Sequence, residues 1–173
     1  MTTIQIPTLH TKNLVLRAPT TDDFEGYAVV LASDRAEFLR GPYSRAAAWK
    51  DYCLSVAEWV LHGSGPFALH LRDTNAFAGI AGISTHPDFP EPEMGWVMAA
   101  NTEGRSLGFE AGSALRDWAF SDLKLPTLVS YIWRGNTRAE TLAKRLGGAL
   151  DSDAATPWPG ALTYRYTPNG APA

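Results

Sequence analysis

The chain has 173 residues, 45% of them hydrophobic and 19% charged, which suits one domain with a full core and is too apolar for a disordered segment. A formal net charge of −3 and a sequence pI near 5.8 argue against a nucleic-acid binder, which needs a basic surface. A single cysteine, Cys53, excludes an internal disulfide framework and a multi-thiolate metal site, and suits a soluble protein of the reducing cytoplasm.

Residues 1–6 carry no basic segment followed by an apolar run, so no targeting signal is expected. Leu14-Val15-Leu16-Arg17 reads as a first strand, and Thr21-Asp22-Asp23 offers a helix start ahead of Phe24, Tyr27 and Leu31. A second helix is expected from Ser44 to His62-Gly63, with Trp49, Cys53, Val56, Trp59 and Val60 on its apolar face and Cys53 as a small buried residue. Residues 67–71, 76–84 and 94–98 are β-like runs separated by turn formers and predict an antiparallel meander.

A long helix is expected to open after Gly104 and run to about Asp122, burying Leu107, Ala111, Leu115 and Trp118. Glu110, Arg116, Asp117 and Asp122 interrupt it too often for a membrane span. A strand at 128–133 follows. The last helix starts at Asn136 or Thr137, where Thr137-Arg138-Ala139-Glu140 has the form of a capping box, and stops at Gly147-Gly148. Residues 162–167 supply a closing strand, and the Pro- and Gly-rich tail 168–173 is expected to lack regular structure. The order β, α, α, β, β, β, α, β, α and one or two further strands predicts a mixed α/β domain on one central sheet, with no internal repeat.

The chemistry is carried by Glu93-Met94-Gly95-Trp96-Val97-Met98, followed by Asn101-Thr102-Glu103-Gly104-Arg105-Ser106-Leu107-Gly108-Phe109-Glu110-Ala111. A strand, a glycine-bearing turn and a helix N-terminus follow one another there. Unpaired N–H groups and the helix dipole make such a turn a main-chain anion site. Arg105 could add a charge-assisted contact; a tight turn at Gly104 and a close helix–sheet contact at Gly108 are the purely structural alternatives. Neither G-x-x-x-x-G-K-[ST] nor G-x-G-x-x-G is present, so the usual nucleotide folds are disfavoured.

In order and spacing the sequence resembles the GNAT N-acetyltransferase superfamily, and specifically its RimJ/RimL-like branch. Residues 9–17 with Asp22-Asp23 are similar to the opening strand and helix, Glu93-Met94-Gly95-Trp96 to the fourth strand, and Gly104-Arg105-Ser106-Leu107-Gly108-Phe109-Glu110-Ala111 to the pyrophosphate loop and its helix. Trp118-Ala119-Phe120 resembles the continuation of that helix, and residues 136–147 the closing helix. The likeness covers residues 9–167. It implies a single-domain fold with a mixed, mostly antiparallel sheet flanked by helices and a V-shaped opening between strands four and five. Acetyl-CoA would lie in that opening, its pantetheine arm on the backbone of Val97 and Met98, its diphosphate on the amides of residues 104–109, and Asn136 on the pantetheine side.

The pattern departs from the family at Asn101 and Ser106 in the loop, and at Ala139 and Ala143 in the closing helix, where relatives carry Ser or an acidic Tyr; no general acid is identified. Acyl transfer to an amine needs a base, and Glu93 is the candidate, with His86 as alternative. Asp88, Glu91 and Glu93 could together attract a cationic amine, or form a solvated loop. His10, His62 and His70 show no metal-ligand spacing, so no metal is expected, and Tyr131, Tyr164 and Tyr166 are expected as packed strand residues. The leading reading is an acetyl-CoA-dependent N-acetyltransferase acting on a protein N-terminal amine or a small-molecule amine, without nucleic-acid or membrane partners. Its rival is a noncatalytic acyl-CoA-binding module, and the sequence leaves open whether the chain works alone or as a homodimer.

Overall fold

The computed structural model describes residues 4–168; most of the 168–173 tail and the start of the 1–6 segment lie outside them. Twelve elements follow in the expected order: β1 (Leu9–His10), β2 (Leu14–Arg17), α1 (Phe24–Leu31), α2 (Arg45–His62), β3 (Pro66–Leu71), β4 (Phe77–Ser84), β5 (Glu93–Met98), α3 (Leu107–Ser121), β6 (Leu128–Trp133), α4 (Thr137–Arg145), β7 (Ala149–Leu150) and β8 (Ala161–Tyr166). They build one eight-stranded sheet in the order β1-β2-β3-β4-β5-β6-β8-β7. The two-residue β1 adds a strand at the edge, so the fourth and fifth strands of the sequence count are β5 and β6. No helix of the described residues is long and apolar enough to cross a membrane.

The sheet is antiparallel except at its centre. β4 and β5 pair along six residues, and β6 and β8 along another six, whereas β5 and β6 run parallel and meet only at Glu93↔Val129. Beyond that point the two strands part, and the edge of β5 stands open. The Ser130 hydroxyl, which donates to Met94 O, and the Tyr166 hydroxyl, which donates to Ser130 Oγ at 3.0 Å, close the base of the opening.

Alternation along β5 divides the core. Met94, Trp96 and Met98 face the larger cluster, with Leu107, Ala111, Leu115, Leu128, Ala143 and Leu146, while Val97 faces Phe24, Tyr27, Leu31 and Tyr52 of α1 and α2. Gly112 permits the close approach of α3 to α4, since a Cβ there would lie 2.6 Å from Leu146 Cδ1. The start of α3 is tied to the β1–β2 turn by Glu110, which accepts from Asn13 N–H at 2.6 Å and from Asn13 Nδ2 at 2.8 Å.

Three local expectations are corrected. Helix α2 has the expected Ser44 cap, with Ser44 Oγ accepting from Ala47 N–H, and the expected left-handed Gly63 stop. Its buried face, however, is Ala48, Tyr52 and Trp59, while Cys53, Val60 and Trp49 are exposed. Spacings of three and four fit two faces one residue apart. The face with Tyr52 is buried because its hydroxyl reaches Thr20 O at 2.6 Å and its ring packs on Phe24 and Tyr27. Helix α3 starts at Leu107 rather than directly after Gly104, because Gly104 (φ +74°) and Ser106 (φ +57°) take left-handed conformations that a helix cannot include. Helix α4 is capped by Asn136, whose side chain accepts from Ala139 N–H at 3.2 Å; Glu140 does not close a capping box but accepts from the Tyr164 hydroxyl at 3.0 Å.

Candidate active site

A continuous cleft of about 1310 Å³ follows the open edge of β5. Ala99 N–H donates to Ala78 O, and the β4–β5 register then directs the backbone groups of Val97, Gly95 and Glu93 toward β4. Those of Trp96 and Met98 lie on the free edge; Met98 O already receives Arg35 Nε at 3.3 Å. Of the pair singled out from sequence, Met98 therefore presents backbone to the opening, and Val97 only its side chain.

At one end of this edge the chain makes a short 3₁₀ turn at Ala100–Thr102 and passes through Gly104 and Ser106 into α3. The Ser106 side chain does not cap the helix, so the first N–H groups of α3 keep no capping partner. A Cβ on Gly104 would meet nothing within 4 Å, while one on Gly108 would lie 3.1 Å from Leu142 Cδ2. Gly104 thus serves backbone conformation and Gly108 serves packing. Arg105 is exposed, its side chain does not line the cleft, and its N–H donates to Thr102 O.

Positive charge comes instead from arginines that sequence reading did not assign to the site. Arg35, Arg138 and Arg145 all line the cleft. Glu103 holds the first two at 3.0 Å each, and Arg145 lies 4.9 Å above the Phe109 ring. Arg138 and Arg145 share α4, while Arg35 lies far from both in sequence, so no single local motif carries all three. Asn136 lines the same side while capping α4. Ala139 also lines it, but Ala143 is fully buried in the core, so that position faces packing and not the cleft.

At the other end, Glu93 stands where β5 and β6 part. Burial raises its pKa to about 7; the Tyr131 backbone N–H, bonded to the carboxylate, opposes the rise, and the nearby charge of Glu58 adds to it. Gly95, two residues on and on the same face, leaves open space: the nearest atoms to a Cβ there belong to the Glu93 carboxyl group, at 3.9 Å. Glu58 of α2, also on the cleft, accepts from Ser84 Oγ at 2.7 Å and Thr85 N–H at 3.0 Å.

The supposed acidic cluster does not converge. Glu91 is taken by Arg165, with contacts of 2.6 and 2.7 Å, and by Thr127 at 2.7 Å, and the guanidinium holds its carboxyl below the usual range. Asp88 projects into solvent beside His86, with 3.7 Å between Oδ2 and Nδ1. His86 lines the cleft but is half exposed. Tyr164 and Tyr166 are packed as expected. His70 is not free: it pairs with the buried Asp23 at 2.7 Å, next to Arg17. Among the described residues no group of three or more His, Cys, Asp or Glu could hold a metal ion.

The open edge of β5 thus joins a main-chain turn with arginines around it to the half-buried carboxylate of Glu93 at the fork. The family model of the acetyltransferase (GNAT) domain matches residues 13–149, and the chain belongs to that family. It is 41% identical to an acetyltransferase from Agrobacterium tumefaciens, with a TM-score of 0.90 over 96% of this chain and 98% of that one. A GNAT-family acetyltransferase from Bordetella pertussis follows at 26% identity, a TM-score of 0.74 and coverage of 92% and 97%. Mycobacterium smegmatis RimJ, solved with a CoA disulfide, shares the fold at 18% identity and a TM-score of 0.71, covering 97% of this chain and 89% of that one. The protein is an acetyltransferase that uses acetyl-CoA, and it has its fold in common with RimJ.

Proposed function

We propose that this enzyme transfers the acetyl group of acetyl-CoA to a primary amine, either a protein N-terminal amine or a small-molecule amine, with Glu93 as the base. The carrying observation is the Glu93 carboxyl group, with a pKa of about 7, beside the open space at Gly95 and at the fork of β5 and β6. Acetyl-CoA supplies an activated thioester. The free edge at Trp96 and Met98 suits its pantetheine amides, with the Val97 side chain alongside. The amides entering α3 at Ser106, Leu107, Gly108 and Phe109, with Gly104 setting the turn, suit its diphosphate. Asn136 has amide hydrogens to offer that its cap does not use, and Arg35, Arg138 and Arg145 supply the charge expected of Arg105.

The amine nitrogen forms the new C–N bond as the C–S bond breaks and the thiolate departs. The nitrogen's surplus proton passes to Glu93, directly or through one water. A base near 7 is matched to an α-ammonium of pKa about 7.7–8.0 far better than to a lysine near 10.4. The test is thiol release from acetyl-CoA with a panel of amines, with the acetylated product identified by mass spectrometry. Amine-dependent release that is lost in Glu93→Gln is expected. Saturable acetyl-CoA binding without turnover on any amine would instead favour the noncatalytic module.

A further inference from the structure

The acceptor end of the cleft has a feature that neither core explains. Phe89, Tyr131, Trp133 and Trp158 all line the cleft, and none belongs to either hydrophobic cluster. Their rings touch in a chain: Phe89–Tyr131 at 5.5 Å, Phe89–Trp158 at 6.1 Å, Tyr131–Trp158 at 6.2 Å, and Trp133 stacked on Trp158 at 5.4 Å. They meet from β6 and from the two loops beside it, around residues 85–92 and 151–160. Arg165 fastens both loops, bonding Glu91 of one and Asp151 of the other at 2.8 Å. The wall is adjacent to the proposed base, because the N–H of Tyr131 bonds the Glu93 carboxylate.

Trp158 Nε1 is buried in this wall without a hydrogen-bond partner among the described residues, whereas the Tyr131 hydroxyl has the backbone of Glu91 beside it. The hydroxyls of Thr85 and Thr163 are also buried and unpartnered, but the other phenols and the indole of Trp59 are satisfied. Tyr27 donates to Asp51, Tyr52 to Thr20 O, Tyr164 to Glu140, Tyr166 to Ser130 and Trp59 to Pro66 O. Buried indoles ordinarily have a partner, so Trp158 Nε1, on the cleft, calls for one from outside the chain. An indole N–H only donates, which requires an acceptor oxygen; the surrounding rings favour a flat apolar group.

We infer that these four residues form the acceptor subsite, and that it takes an aromatic α-amino carbonyl group, as in the amide of an aromatic amino acid or the aromatic first residue of a peptide. The ring parts the side chains of Phe89 and Trp158, the carbonyl oxygen accepts from Trp158 Nε1, and the amine is left beside Glu93. This rests on the N-acetyltransferase reading.

Initial-rate kinetics with phenylalanine amide, alanine amide, phenethylamine and the peptide Phe-Ala-Ala at fixed acetyl-CoA tests it. At least a tenfold higher kcat/KM is expected for phenylalanine amide than for alanine amide, which lacks the ring, and than for phenethylamine, which lacks the carbonyl. Trp158→Ala should remove most of that advantage and leave the calorimetric acetyl-CoA affinity within twofold. Trp158→Phe should keep the preference for the ring and lose that for the carbonyl. Phe89→Leu repeats the test of the wall should Trp158→Ala fail to fold. A faster Phe-Ala-Ala assigns the subsite to a polypeptide end and a faster phenylalanine amide to a small amine, both within the inferred chemistry. Equal kcat/KM for phenylalanine and alanine amides, or a Trp158→Ala effect on acyl-chain length in place of amine choice, overturns the subsite while the acetyltransferase stands. No turnover on any of the four, with acetyl-CoA bound, overturns the amine reading and the subsite with it.

Discussion

The end of the cleft proposed for the cofactor is made largely of backbone: the free edge of β5 and the first amides of α3 after the left-handed turns at Gly104 and Ser106. The acceptor end is made of side chains gathered from far apart: Glu58 on α2, Phe89 and Glu93 around the start of β5, Tyr131 and Trp133 on β6, and Trp158 near β8. A backbone surface depends on where strands part and where glycine allows a turn, so it tolerates change in its neighbours. A side-chain surface depends on each residue and on the loops that hold it. Substitutions should therefore separate cleanly: those at one end move cofactor affinity, and those at the other move amine kinetics.

The largest effect expected is that of Glu93→Gln, which should lower kcat/KM for amines by about 10²-fold at pH 8, in the range for loss of a general base. The native carboxyl group titrates near 7 because burial opposes its charge. The wild-type rate should rise as pH passes through that value. The gap between variant and wild type should be widest above pH 7 and narrow below it, where the native carboxyl is itself protonated. Acetyl-CoA affinity should not change. A pH–rate profile of constant ratio would move the base elsewhere, with His86 next to be tested.

Gly104→Pro attacks the other end. A Cβ at Gly104 would touch nothing, and proline forces φ from +74° to about −65° and removes the N–H. The acetyl-CoA dissociation constant should rise about 30-fold, about 2 kcal/mol, with little change in Tm. Arg145→Ala should weaken acetyl-CoA about fivefold by removing one charge from the cleft, and Arg105→Ala less than twofold because Arg105 faces solvent. Calorimetry on the three variants ranks them. An Arg105→Ala effect larger than that of Arg145→Ala would reverse the assignment of charge.

The same division decides what the sequence could tell. Element order was readable because strands of period two and helices of period 3.6 alternate along the chain, and the turn before α3 was readable because Gly104, Ser106 and Gly108 are close together in sequence. Helix faces were less secure: in α2 a one-residue rotation exchanges Cys53 for Tyr52, and only tertiary partners choose between them. The place of Arg35 on the cleft and the pairing of Glu91 were not legible, because pairing across 68 or 74 positions leaves no local pattern. Arg35 meets Glu103, and Arg165 withdraws Glu91 from the cleft. Glu93 stood out locally by its place at the strand start, but its raised pKa depends on Glu58 and on burial that the sequence does not print.

Arg165 gives a small expected effect on amine kinetics and the sharpest test of the acceptor end as a side-chain construction. It touches no residue of the aromatic wall, yet it bonds Glu91 and Asp151, on the two loops beside the wall. Arg165→Met keeps the bulk of the stem and removes the charge. The KM for the amine should rise about threefold, as the loops lose their tether, while acetyl-CoA affinity is unaffected. The pair with Glu91 is partly screened and contributes about 1 kcal/mol, so Tm at pH 7 should drop by about 3 °C. Both carboxyl groups are held below their ordinary values of 4.5 and 3.8 by Arg165. Their contribution is therefore complete above about pH 4.5 and fades as pH falls through the lowered values, because protonation then favours the unfolded chain. The Tm difference between variant and wild type should shrink over that acidic window and nowhere else. A difference that persists there would assign it to lost packing of the guanidinium, and the two loops would be held by something other than charge.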